Sequence, residues 1–352
     1  MDRISGGEPA IKVGLDAVKK QQAKFNYLQA RLRTAIPPRT HCPPENDEGL
    51  IRSLLHMALD ELKAQRPPRY RQIILELRGA DLETVYTELL STFSRSGTPE
   101  ERDISRRYLT TLVQATDRFP EQFLQQTVND ISAMRVDGGG FSDIFTGRLM
   151  VNGKNKFIAL KRVTMFPRTS QSETHIQRMY LEILSCMSLK HTNIIEVFGL
   201  YKDATSSYIL TPYLQHGNIR AYVPKIKEKH AYYGVVDIIE WVHALIVDIA
   251  KGVKYLHDEY IAHGDLRGVN ILIDGNARAV ITDFGLAVYV NAYSSEFSSM
   301  RDGNYKWIAP EGLGADGATR ASVRPTPHMD VWSFAHVCAE VSLCPAPTNA
   351  KC

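Results

Sequence analysis

An acid, a cation and an amide stand close together in the run His263-Gly264-Asp265-Leu266-Arg267-Gly268-Val269-Asn270-Ile271-Leu272-Ile273. A second acid, Asp283, follows in Ile281-Thr282-Asp283-Phe284-Gly285-Leu286, and upstream Lys161 closes the apolar run Ile158-Ala159-Leu160-Lys161. Further upstream lie three consecutive glycines, Gly138, Gly139 and Gly140. Transfer of a phosphoryl group from ATP needs these residue types: a cation on the phosphates, carboxylate and amide oxygens on metal ions, and an acid to orient the attacking hydroxyl. Glycines let the backbone approach phosphates closely. Each signal alone is weak, since three glycines are more often a turn and a strand lysine is usually a surface charge. Their occurrence as one ordered set is what points to this chemistry.

The elements that must hold these groups are legible from periodicity and punctuation. Phe157 to Val163 and Tyr208 to Leu210 read as strands, Glu173 to Leu189 as a helix, and two short strands are expected around Ile271 and Val280. A long buried helix follows Asp237, and an apolar helix lies near Val331. Strands first and helices later predict a two-lobed α+β architecture. The first third is different and reads as helices between Pro and Gly. Leu15, Val18, Phe25, Leu28 and Leu32 give one stripe; Ile51, Leu54, Leu55, Ala58 and Leu62 give another. Asp81 is expected to cap a third helix carrying Leu82, Val85, Tyr86, Leu89 and Phe93, while Thr98-Pro99-Glu100-Glu101 has the form of a capping box opening a fourth. The fourth helix has Ile104, Tyr108, Leu112 and Val113 on its apolar face. The resulting division is 1–118, an α-helical region; 119–131, a linker; and 132–352, the chemical domain. The helical region is read either as a protein-interaction module or as a preface packing on its neighbour.

Composition sets bounds. The 352 residues suffice for two average domains, and the net charge of +3 is too small to imply nucleic acid or an anionic membrane. Cys42, Cys186, Cys338, Cys344 and Cys352 form no CxxC pair or metal spacing, as expected in a reducing cytoplasmic compartment. The N-terminus has no secretory h-region, and the most apolar stretch, Trp241 to Leu256, is broken by Asp248, Lys251 and Lys254, so no membrane span is expected.

From about Ser132 to Val341 the chain resembles the protein kinase superfamily, in its tyrosine-kinase-like group. The resemblance rests on Ile158-Ala159-Leu160-Lys161, on His263 to Asn270, on Asp283-Phe284-Gly285, on Ala309-Pro310-Glu311 and on Asp330-Val331-Trp332. The form of the catalytic loop is similar to that of fungal members. The resemblance implies a β-rich N-lobe and a helical C-lobe, with ATP and Mg²⁺ as cofactors and a protein substrate. It implies that Lys161 contacts the α- and β-phosphates and pairs with Glu182, that Asp265 accepts the hydroxyl proton, and that Arg267 neutralises the transferred phosphate. Asn270 and Asp283 would hold metal. Val136, Gly138, Gly139, Gly140, Ile144, Ala159, Thr211, Tyr213, Leu214 and Leu272 would surround the nucleotide, with Thr211 guarding the back of the adenine pocket. Asp330 would anchor the catalytic loop.

The sequence departs from the family pattern in places. Only Gly139 falls on a motif glycine of the phosphate loop, and Gly264 replaces the arginine of H-R-D, which removes the usual pairing with a phosphorylated activation loop. Asn304 stands where Ser/Thr kinases carry a hydroxyl, leaving Ser/Thr only slightly favoured over Tyr. After Val341 nothing resembles the remaining C-lobe helices, so the lobe is expected to be incomplete. Three readings remain: an ATP-dependent protein kinase, a catalytically impaired kinase-like scaffold with a partner on its N-terminal helices, and an incomplete version of a longer kinase.

Overall fold

The computed structural model describes residues 47–64, 66, 69–94, 97–116, 118–125, 127–139, 142–163, 180, 183–184, 186–204, 206–230, 235–283, 288–289, 305–312 and 325–343. The expected stripe from Leu15 to Leu32 lies outside them, as do Gly140, Glu182 and Asn304. The chain divides into two compact units, Met1–Ser91 and Thr92–Cys352.

The first unit contains α1 (Asp47–Lys63), α2 (Arg69–Leu75) and most of α3 (Ala80–Ser94). Apolar residues at helical spacing supply its core: Ile51, Leu54, Leu55 and Ala58 from α1, Ile73 and Ile74 from α2, and Leu82, Val85, Tyr86 and Leu89 from α3. Leu62, expected in the α1 stripe, is half-buried. Asp81 is not the cap that its spacing suggested. The helix already starts at Ala80 after Gly79, so Asp81 sits in the first turn, where a carboxylate offsets the positive end of the helix dipole.

The second unit opens with α4 (Pro99–Thr116). Its capping box forms as read: the Glu101 N–H donates to Thr98 Oγ1 at 3.2 Å and the Thr98 N–H to Glu101 Oε2 at 2.9 Å. The capping residues sit in the unit with the sheet, and so does the whole of α4, which the sequence grouped with the N-terminal helices. The reason is a buried ion cluster. Arg102 and Arg106 both pair with Glu259, and Arg106 also donates to the Glu259 carbonyl at 2.9 Å and to Ser188 Oγ at 2.7 Å. Burial raises the Glu259 pKa, but the two guanidinium hydrogen bonds outweigh it and hold the carboxyl below its ordinary value.

This cluster predicts a pH dependence. A depressed native pKa gives stabilisation that is complete above the unfolded glutamate pKa of about 4.3 and is lost as pH falls through the lower native value. Glu259→Gln should therefore lower stability at pH 7 by about 1.5–3 kcal/mol, the range for hydrogen bonds to charged groups. The deficit should shrink on acidification below about pH 4. Denaturant titrations of both proteins across pH check this, and a deficit that stays constant to pH 3 would contradict it.

A six-stranded sheet follows, in the order β1-β5-β6-β4-β3-β2. Its strands are β1 (Leu124–Gln125), β2 (Asp137–Gly139), β3 (Ser142–Val151), β4 (Lys154–Val163), β5 (Gly199–Lys202) and β6 (Ser207–Pro212). All neighbours are antiparallel except β1 and β5. Alternation along β4 buries Ile158 and Leu160 against Leu149, Phe198, Tyr208 and Leu210, leaving Ala159 and Lys161 on the opposite face.

The helical part is built on α5 (Ile219–His230), α6 (Val235–Asp258) and α7 (Pro327–Leu343), with short strands β7 (Ile261–Ala262), β8 (Ile271–Ile273), β9 (Ala279–Ile281) and β10 (Val288–Tyr289). Leu245, Ile249, Val253 and Leu256 of α6 join Ile261, Leu266, Ile271, Ile281, Val337 and Val341 in one core. On α7, Val331 and Trp332 are exposed while Val337 and Val341 are buried, so this helix is not covered all round. A β-sheet followed by a helical part is the two-lobed α+β arrangement expected. No helix among the described residues is long and apolar enough to cross a membrane.

Candidate active site

Strand register assembles one side of the site. Ile144 on β3 lies opposite Lys161 on β4, and Ala159 lies opposite Thr211 on β6. With a side-chain period of two, Ile144, Ala159, Lys161 and Thr211 share one face, and all four are half-buried. The chain then leaves β6 through Tyr213, whose N–H donates to the Phe157 carbonyl at 3.3 Å, and Leu214, which closes a turn with Gly217. Leu272 comes from the other part, on β8, where it bridges to Asn218. Val136 precedes β2, is exposed, and donates its N–H to the Ile144 carbonyl at 2.8 Å. Gly138 and Gly139 lie on β2 opposite Asp143 and Ser142.

The loop between β7 and β8 carries the other groups, and it is held from below by α7. Asp330, only 1% exposed, accepts from the His263 N–H at 2.7 Å, the Gly264 N–H at 2.9 Å and His257 Nε2 at 2.9 Å. Gly264 has φ +77°, a left-handed conformation that glycine takes without steric cost. Its place in the motif is thus explained by the backbone as well as by the missing arginine. His263 is fully buried; its Nδ1 accepts from the Asp265 N–H at 3.2 Å, which leaves Nε2 to donate to the Thr282 carbonyl at 3.0 Å. The loop is thereby tied to the residue preceding Asp283.

Asp265 and Asn270 are locked together. The Asn270 amide donates to the Asp265 carbonyl at 2.8 Å and to its Oδ2 at 2.9 Å, and both residues are buried. Arg267 Nε lies 3.4 Å from Asp265 Oδ1. The Thr282 N–H donates to the Asn270 carbonyl at 2.9 Å, so Asn270 and Asp283 are joined through one backbone link. Asp283 itself has φ +66°, an uncommon value for a residue with a side chain and of the kind that strained functional positions adopt. Its Oδ1 is 3.0 Å from Lys161 Nζ, which brings the strand lysine to the helical part.

The structure thus brings together Lys161, Asp265, Arg267, Asn270 and Asp283, whereas Glu182 and Gly140 lie outside the described residues. Sequence reading missed Glu340 on α7. It accepts from the Gly268 N–H at 3.0 Å and pairs with Arg220 at 2.7 Å, fixing the loop at a second point. No motif or periodic spacing in the sequence marks it: Glu340 is ten residues from Asp330, off the stripe that a helical repeat would show.

The donor set suits magnesium in its chemistry. Among the described residues no group of three or more His, Cys, Asp or Glu is placed to hold a metal ion. Magnesium, however, commonly takes one or two protein oxygens and completes its shell with water and phosphate. Asn270 spends its amide hydrogens on Asp265, which leaves its side-chain oxygen as an acceptor.

The sequence pattern of the family described as protein tyrosine and serine/threonine kinase matches residues 132–351. The chain belongs to the protein kinase superfamily. Its group is the tyrosine-kinase-like one. Similar proteins include the LRR receptor-like serine/threonine-protein kinase FEI 2 of Arabidopsis thaliana, 31% identical over 60% of this chain and 33% of that protein. The serine/threonine/tyrosine-protein kinase HT1 of the same plant is 27% identical over 57% of this chain and 50% of that protein. Its mitogen-activated protein kinase kinase kinase 1 is 28% identical over 58% of this chain and 30% of that protein. The chain therefore spans between about a third and a half of the length of these relatives. Kinases of this family use ATP, generally with Mg²⁺, and act on proteins.

Proposed function

We propose that this kinase-family chain transfers the γ-phosphate of ATP to a protein hydroxyl, with Ser/Thr slightly favoured over Tyr. The observation that carries the reading is the Lys161–Asp283 contact at 3.0 Å, made beside the Asp265–Asn270 lock. It joins a phosphate-gripping cation to the metal-holding and hydroxyl-orienting groups. The hydroxyl preference is supported by the relative named a serine/threonine-protein kinase.

In this reading Ile144, Ala159, Thr211, Leu214 and Leu272 flank the adenine, with Val136 and Tyr213 at its edges and Gly138 to Gly140 over the phosphates. Lys161 holds the phosphates by charge. Asp265 accepts a hydrogen bond from the incoming hydroxyl and takes its proton, and Arg267 offsets negative charge on the transferred group. Asn270 and Asp283 would hold magnesium, which would supply charge neutralisation at the phosphates. Asp330 and Glu340 touch no reacting atom. Their part is to hold the loop.

Two measurements test this. Purified chain should transfer label from ATP to a generic protein substrate in the presence of Mg²⁺. Mg²⁺–ATP at a hundred times its Kd should also add about 2.7 kcal/mol of stability and raise Tm. Lys161→Met should remove most of that shift while leaving the ligand-free Tm within a few degrees. A folded wild type with no shift at saturating Mg²⁺–ATP would sink the nucleotide site.

A further inference from the structure

The family match begins at residue 132, yet the compact unit begins at Thr92, so the stretch 99–125 belongs to the catalytic unit without belonging to the matched pattern. It is attached at both ends. At one end Arg106, fully buried, binds Glu259 and Ser188, and Arg102 binds Glu259 as well. Glu259 lies between α6 and β7, just upstream of the loop bearing Asp265. At the other end β1 adds a parallel strand to the edge of the sheet, with Leu124 opposite Leu200. Leu200 is opposite Ile209, and Ile209 is opposite Lys161. The added strand is thus in line with the row of the sheet that carries the phosphate-gripping lysine.

Between the two ends, Phe119 stacks on Tyr180 at 4.7 Å between ring centroids, and both rings are buried. Tyr180 in turn accepts from Lys202 Nζ of β5 at 2.8 Å. Residues of the matched domain are fitted to this stretch. Gly199 has φ +132°, and a Cβ there would stand 2.4 Å from the Phe123 carbonyl, so only glycine allows the approach. Gln125 also donates to the Phe198 carbonyl at 3.0 Å. A segment held by a buried double ion pair, an aromatic stack and strand pairing is built to hold position.

We propose that α4 and β1 form a strap that fixes the Lys161 row of the sheet relative to the Asp265 loop, with Arg106 and Phe119 as positioning residues for phosphoryl transfer. The reasoning is geometric. Lys161 and Asp265 sit on different parts of the unit, and reacting groups must be held in one arrangement for the transfer to be fast. The strap is the covalently continuous piece that grips the flank of each. The proposal rests on the kinase reading for its effect on rate, but its effect on Lys161 does not depend on turnover.

The test uses the full chain carrying Arg106→Ala, Phe119→Ala or Phe119→Tyr, assayed well below each variant's Tm. Two readouts are taken: kcat with KM for ATP, and the rate at which an amine-reactive acetylating reagent labels Lys161 relative to the exposed Lys154. Arg106→Ala and Phe119→Ala should lower kcat at least tenfold and speed Lys161 labelling at least fivefold, while Phe119→Tyr, which keeps the stack, restores both. If Arg106→Ala does not fold, the Phe119 pair decides. A lower Tm with unchanged kcat and unchanged Lys161 labelling would make the strap a structural brace only and overturn the proposal. A wild type without turnover would refute the kinase reading alone, and the labelling rates would then decide the strap.

Discussion

Asp265→Asn should lower phosphotransfer by about 10²–10⁴-fold, the usual contribution of a positioned acid–base group. That is about 2.7–5.4 kcal/mol of barrier at about 1.36 kcal/mol per decade. The substitution keeps the hydrogen bonds that hold the loop and loses only the 3.4 Å contact of Arg267 Nε with Oδ1, so the expected loss falls on rate. Asp265 receives the Asn270 amide at both its main-chain carbonyl and its Oδ2. An asparagine keeps the carbonyl and one side-chain oxygen, so the lock on Asn270 survives. The Asp265 N–H still donates to His263 Nδ1, and Asp330 still holds the loop from beneath. What disappears is the carboxylate that accepts the hydroxyl proton. The stabilisation by Mg²⁺–ATP should stay close to wild type, since the phosphate and metal groups, Lys161, Asn270 and Asp283, are untouched. Single-turnover measurements with saturating nucleotide check this. Turnover equal to wild type would show that the role is misassigned or that the activity belongs to a contaminant.

How much of this was legible in the sequence depended on the range of the interactions. The capping box of α4 was readable because its two hydrogen bonds join residues three apart, and that spacing is printed in Thr98 to Glu101. The face shared by Ala159 and Lys161 followed from alternation along a single strand. The order of Lys161, Asp265, Asn270 and Asp283 was readable because each belongs to a short motif with its own context. The placement of α4 was not readable. Arg102 and Arg106 meet Glu259 across more than 150 residues of chain, and an arginine pair on a helix reads as a solvated face. Nothing periodic records such a pairing. The strand β1 is similarly hidden, being only two residues long and dependent on β5 for its existence. Gly264 carries a role that its motif does not record. By motif it was the loss of an arginine, whereas in the fold its φ of +77° and its N–H bond to Asp330 give that position a backbone purpose.

Asp330→Ala should cost about 2–6 kcal/mol of stability, by leaving one buried and one half-buried backbone donor without their carboxylate at about 1–3 kcal/mol each. The donors are the His263 and Gly264 N–H groups, which meet Asp330 Oδ2 and Oδ1 at 2.7 and 2.9 Å. Water cannot readily replace the carboxylate, since Asp330 is 1% exposed and His263 fully buried. His257 would lose its partner as well. Against a typical net stability of about 5–15 kcal/mol this is a large fraction, so the variant should melt many degrees lower. Asp330→Asn provides the control. Its one remaining carbonyl oxygen can serve one of the two N–H groups, while its amide hydrogens face the other, so it should fall between wild type and alanine. Turnover should fall further than stability in both variants. The same two N–H groups set the path of the loop into Asp265, and a loop free to shift no longer holds that carboxylate against Asn270. Amide exchange at His263 and Gly264 separates this account from general destabilisation. Those amides should lose protection in Asp330→Ala under conditions where the α6 core, Leu245 to Leu256, keeps it. Wild-type protection at Gly264 in a folded Asp330→Ala protein would show that the loop is held by something other than this carboxylate.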